Sequence, residues 1–97
     1  MVVISKTILV EFGNKHADAI DAVNDWYNKT KQANWNSLTD IKNTFNSVDY
    51  VGNDRYVFNI KGNNYRLVAI IFFSIRTVFI RFIDTHAEYN KIDCGVI

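Results

Sequence analysis

No proline and only one cysteine occur among the 97 residues, and glycine appears just four times. Without proline there is no stiff extended linker of the kind that separates domains. No repeat or low-complexity tract divides the chain either, so it reads as one domain over residues 1–97. The lone thiol, Cys94, cannot close an intramolecular disulfide, and nothing marks the chain for an oxidising compartment. It reads as a small residue near a loose C-terminus rather than as an activated nucleophile.

Long apolar runs are missing too. The longest, Leu67 to Phe73, has seven residues, against the roughly 20 that a helix needs to cross a bilayer. The first twelve residues mix an apolar patch with Lys6 and Glu11, and no small-residue cleavage site follows, so they do not read as a secretion signal. The expectation is a cytoplasmic protein with no membrane partner.

Excess charge is equally scarce. Eleven Lys and Arg oppose ten acids for a net charge of +1, which argues against a broadly basic nucleic-acid binder. The distribution is less even than the total. From Arg55 to Arg81 lie five basic residues (Arg55, Lys61, Arg66, Arg76, Arg81) and no acid. A local cluster of one sign can attract a polyanion even when the whole molecule is nearly neutral.

What the sequence does hold is a generous supply of core-forming side chains: 48% hydrophobic residues, with seven Phe, five Tyr and two Trp. A chain bound for disorder lacks these. The first half is patterned for helices. Met1–Ile4 can add an edge strand, and Ser5 can cap a helix to Phe12, stopped by Gly13-Asn14. Ala17, Ile20, Val23, Trp26 and Tyr27 then give helical spacing over about 15–31. Ser37-Leu-Thr-Asp40 resembles a capping box ahead of Leu38, Ile41 and Phe45.

From Tyr56 the period changes to two. Residues 56–60 and 65–73 predict strands around a turn at Lys61-Gly-Asn-Asn64. Ser74–Thr77 turns the chain, Val78–Ile83 forms another strand, and His86–Ile92 ends in a helical turn. The pattern is α+β: N-terminal helices packed on a small antiparallel β-sheet, with a short C-terminal helical turn.

Turning the first hairpin on Gly62-Asn63 sets Asn59 across from Arg66 and brings Lys61 to the same face. Turning the next about Ile75-Arg76 sets Arg66 across from Thr85, beside His86, with Tyr89 close by; a slip of one residue would reverse the face. Such a cluster suits cleavage of RNA, whose 2′-hydroxyl is its own nucleophile. The protein then has to move two protons and offset charge on the phosphorane oxygens. Arginine's fork fits phosphate, and histidine titrates in the right range. Neither a metal nor a cofactor is called for, and His16, His86 and the scattered acids lack metal-site spacing. Each residue also has a plainer reading. Arg66 and Arg81 could be solvated face residues, Arg76 a turn residue, His86 a strand-end cap, and His16, Trp26 and Tyr27 structural.

The stretch Arg55-Tyr-Val-Phe-Asn-Ile-Lys-Gly-Asn-Asn-Tyr-Arg-Leu-Val-Ala-Ile-Ile-Phe-Phe73 is followed by Phe79-Ile-Arg-Phe-Ile-Asp-Thr-His-Ala-Glu-Tyr-Asn-Lys-Ile-Asp93. Together they resemble the HigB family of toxins from bacterial type II toxin–antitoxin systems. The resemblance implies a RelE-like ribonuclease fold and metal-independent cleavage of mRNA on the translating ribosome. It also implies neutralisation by a helix-turn-helix antitoxin of the HigA type. It assigns Lys61 and Arg66 to phosphate binding and transition-state stabilisation, and His86 and Tyr89 to acid–base or stacking roles. Asn59, Arg55, Arg81 and Lys91 are expected to hold RNA. The competing expectation is a non-catalytic RNA- or ribosome-binding regulator, or a degenerate toxin, which would need the basic strand face but not His86 or Tyr89.

Overall fold

A computed structural model describes all 97 residues. The chain runs β1 (Val2–Ile4), α1 (Lys6–Lys15), a 3-10 turn (Ala17–Ala19), α2 (Ile20–Gln32) and α3 (Leu38–Thr44). It continues through β2 (Val48–Gly52), β3 (Arg55–Ile60), β4 (Tyr65–Phe72), β5 (Thr77–Thr85) and α4 (His86–Tyr89). The strands lie in the order β1-β5-β4-β3-β2.

The helices cover one face of this sheet. Alternation along β3 and β4 sends Tyr56, Phe58, Ile60, Tyr65, Leu67, Ala69 and Ile71 to that side, where they join Leu9, Phe12, Val23, Trp26, Trp35 and Ile41 in one core. Phe58 sits at its centre, with the Trp26 and Phe45 rings 5.4 and 5.6 Å away, both edge-on. The α+β plan is the expected one, with one addition. Because α1 to α3 carry the chain across the sheet face, β1 can return parallel to β5, and the sheet is mixed.

Three local expectations shift. Gly13 does not end α1; it lies within the helix, where a Cβ would meet Ile20 Cγ1 at 3.1 Å, so its smallness lets α1 and α2 approach closely. Ser5 stands at the α1 N-cap but its side chain makes no capping bond, whereas Ser37 accepts from Asp40 N as a cap should. β2 had no counterpart in the sequence reading. It is a short edge strand entering the β2–β3 turn, where Gly52, Asn53 and Asp54 all take positive φ.

The other sheet face is crossed by the C-terminal segment. Val57 and Val68 point there, yet are 2% and 0% exposed; on this face α4 lies against β4 and β5, and the residues after it are tied to Asn53 and Arg55. Arg55 fastens that segment: its Nε and Nη2 donate to the main-chain oxygen of Ile97 at 3.1 and 2.7 Å.

Candidate functional site

Asn59 and Arg66 are direct cross-strand partners, as the first hairpin predicts, and both side chains lie on the face opposite the helices. The second hairpin differs by one residue. Its loop is Phe73–Arg76 and β5 carries a bulge at Arg81, so Arg66 pairs with Asp84 rather than Thr85. His86, two residues beyond Asp84, opens α4, whose first turn is capped by the Thr85 hydroxyl accepting from Glu88 N.

This arrangement brings Arg66, His86 and Tyr89 together. Arg66 Nη2 lies 2.8 Å from His86 Nε2, and its guanidinium carbon is 5.0 Å from the Tyr89 ring centroid. The His86 and Tyr89 rings are 6.4 Å apart. Arginine has donors only. His86 Nε2 is therefore the acceptor in this contact, and the ring proton sits on Nδ1. Asn90, four residues along, has its Nδ2 3.3 Å from Nδ1; a half-turn of the amide, which exchanges nitrogen for oxygen at the same reach, is what would let it accept that proton.

Tyr89 has its phenol pushed above its ordinary range, first by burial and then by the hydrogen bond with Cys94, whose Sγ is 3.4 Å from the hydroxyl. It is a neutral phenol near pH 7. Two polar atoms in the site are buried without a partner: Arg66 Nε and Asn59 Oδ1. Leaving such groups unmatched costs on the order of 1–3 kcal/mol each. Unmatched groups of this kind call for a reason, and a working site is one.

Lys61 does not join them. Its backbone is left-handed, with φ 52°, which takes its side chain out of the strand alternation. The ammonium turns to the helix side, 2.8 Å from Asp18 Oδ2. The same carboxylate accepts from the Tyr65 hydroxyl at 2.9 Å. These hydrogen bonds, from Lys61 first and Tyr65 second, hold the Asp18 carboxyl below its ordinary range.

Arg55 is also occupied, since its third contact, Nη1 to Asn53 O at 2.8 Å, leaves its fork committed to backbone. Lys91 pairs with Glu88 at 3.1 Å on the surface. Arg81 is exposed at the bulge and makes no hydrogen bond or ion pair. Asp18, Ser47 and Asn90 carry no site role in the sequence, and Cys94, read there as a small residue near a loose C-terminus, turns out to meet the Tyr89 hydroxyl. The His86/Asn90 spacing of four was a visible signal, whereas the Tyr89–Cys94 contact runs past the end of α4 and had none. The Asp18–Lys61 and Ser47–Asn59 contacts span loops and had no local signal.

Residues 19–92 match the family described as HigB_toxin, the RelE-like toxic component of a toxin–antitoxin system. The chain belongs to the HigB toxin family. It is 30% identical to mRNA interferase HigB of Escherichia coli O6:H1 (strain CFT073) over 94 residues, 95% of this chain and 91% of that one. A 35-residue stretch is 49% identical to mRNA interferase toxin HigB of Escherichia coli strain K12, covering 36% of this chain and 34% of the relative. The four helices and five-stranded sheet are compatible with the RelE-like fold of a HigB toxin. No helix of this HigB-family chain is long and apolar enough to cross a membrane.

Proposed function

We propose that this HigB-family chain is a metal-independent endoribonuclease that cuts mRNA in the cytoplasm, on translating ribosomes. In this reading it inhibits translation and growth until a HigA-type helix-turn-helix antitoxin binds it. The observation that carries the reading is the contact between Arg66 and His86, with Tyr89 beside them, on a sheet face the N-terminal helices leave free. The names of its relatives, both mRNA interferases, support the substrate.

His86 Nε2 takes the proton of the RNA 2′-hydroxyl, whose oxygen attacks the adjacent phosphorus. Arg66 offsets the charge that builds on the phosphorane oxygens. Tyr89, kept neutral by burial, gives its proton to the departing 5′-oxygen as the P–O5′ bond breaks. A cyclic 2′,3′-phosphate and a 5′-hydroxyl result. Lys61 adds a second cation once it leaves Asp18, an exchange its flexible stem permits. Asn59, Arg81 and Lys91 line the approach of the RNA.

Induced expression followed by primer extension on cellular mRNA tests this. The wild-type chain should create new 5′ ends, and Arg66→Ala and His86→Ala should lose them along with growth arrest. Growth arrest without new ends would favour the non-catalytic RNA- or ribosome-binding reading.

A further inference from the structure

Arg66 is used in an unbalanced way. Its Nη2 is spent on His86 Nε2, while Nε, on the same planar group, is buried with no partner. Across the ladder stands the complement. Asn59 is the Cα partner of Arg66, and its Oδ1 is a buried acceptor, also without a partner. Its Nδ2 donates to Ser47 Oγ at 2.5 Å, which fixes the amide with its oxygen left over. An orphan donor and an orphan acceptor thus face the same side of two paired strands, whose opposed Cα atoms lie roughly 4.5–5.5 Å apart.

The resting contact is also unproductive. A His86 Nε2 lone pair that accepts from Arg66 is not available to a 2′-hydroxyl, and an Nη2 turned to imidazole is not available to phosphate. Both groups become useful only when the guanidinium moves.

We propose that Asn59 is a positioning residue that holds a second, working position of Arg66, in which Nε–H donates to Asn59 Oδ1 and Nη2 has left His86 for the scissile phosphate. In this state the phosphate draws the guanidinium over, both buried orphans find each other, and the base is freed in the same movement. Substrate binding and unmasking of the base are one event. Ser47 belongs to the device, because it keeps the Asn59 amide from turning its nitrogen toward Arg66. The inference rests on the ribonuclease reading above and reassigns Asn59 from touching RNA to acting through Arg66.

The test uses the whole chain and an RNA oligonucleotide carrying a 2′-deoxy sugar at the mapped cleavage point, which binds but lacks the nucleophile. Nitrogen-15 NMR should show the Arg66 Nε–H exchanging fast in the free protein and protected at least tenfold when the oligonucleotide binds. Asn59→Ala should abolish that protection and lower kcat about tenfold with KM changed less than threefold. Asn59→Asp, which keeps an acceptor at the same reach, should restore protection. Matching melting temperatures would show the variants folded. Protection in Asn59→Ala equal to that of wild type, or a rise in KM with kcat unchanged, would overturn the proposal. A wild-type chain that binds the oligonucleotide but cleaves the all-ribose RNA neither free nor on programmed ribosomes would overturn the ribonuclease reading instead, and the Nε–H signal would still report on Asn59.

Discussion

Arg55 and Ile97 are joined through two hydrogen bonds, from Nε and Nη2 to one main-chain oxygen, across 42 positions of sequence. The link ties the C-terminal segment to the start of β3, and Asn53 adds a third tie by donating to Gly95 O at 3.1 Å. Since His86 and Tyr89 sit on that segment, the clamp positions the site without touching it. Arg55→Ala should therefore cost about 1–2 kcal/mol of stability, the scale of charge-assisted bonds at a half-buried site. Hydrogen exchange should quicken at residues 93–97. Arg55→Lys should rescue little, because an ammonium cannot reproduce the fork. Unchanged exchange with weaker RNA binding would return Arg55 to the substrate.

The Asp18–Lys61–Tyr65 cluster predicts how stability responds to acid and alkali. Asp18 ionises below its ordinary 3.8, through the Lys61 and then the Tyr65 hydrogen bond. Its contribution is present above that value and is lost as pH falls through the lower folded value. Lys61 is raised above 10.5 by the same bond, so its share is present below 10.5 and lost as pH rises through the folded value. Denaturant melts of Asp18→Asn should lose both dependences. At neutral pH the variant releases Lys61, and cleavage should rise severalfold if Lys61 serves the phosphate; a fall with the fold intact would tie the working site to the Asp18 pair.

Much of this was readable from residue order, and the failures have physical causes. Period-two alternation in residues 56–60 and 65–73, with a Gly-Asn turn between them, was enough to place Asn59 against Arg66. The same alternation misplaced Lys61, because a left-handed φ at a strand end redirects the side chain and leaves no trace in hydropathy. The Arg81 bulge was equally silent, since it inserts one residue without changing composition. The loop Phe73–Arg76 alone would set Arg66 against Ile83; the bulge moves the partner on by one to Asp84, one short of the Thr85 expected from a turn at Ile75-Arg76. β2 escaped notice because an edge strand needs only one packed side: Val48 is buried while Asp49 and Tyr50 face solvent. Yet Gly52-Asn53-Asp54 announced its turn.

Tyr89 offers a way to separate proton donation from ring packing. Its ring lies against Arg66 and is 6.5 Å from Phe82, while its hydroxyl meets Cys94 Sγ at 3.4 Å and also feels the Arg66 guanidinium. Tyr89→Phe keeps the ring and removes the proton; a positioned acid contributes roughly 10²–10⁴-fold. The variant should lose at least about 10²-fold in single-turnover cleavage while binding RNA as tightly as wild type. Because burial and then Cys94 raise the phenol, the wild-type rate should show no decline from its ionisation below pH 10. A Phe variant of full activity would assign the leaving-group proton elsewhere.

Arg81 and Lys91 differ in what they have free to offer a polyanion. Arg81 is the extra residue of the β5 bulge, exposed and without a partner, whereas the Lys91 ammonium lies 3.1 Å from Glu88 Oε1. A cation already half neutralised releases less from the counterion cloud of RNA when it binds. Each phosphate contact on a single strand adds about 0.7 to the slope of log affinity against log salt. Arg81→Ala should reduce that slope by about 0.7 and weaken binding most at low salt, with the rate at saturating RNA unchanged. Lys91→Ala should change the slope less, and Glu88→Gln, which unmasks Lys91, should raise it. Equal slopes for the wild type and Arg81→Ala would mean that the RNA path avoids the bulge altogether.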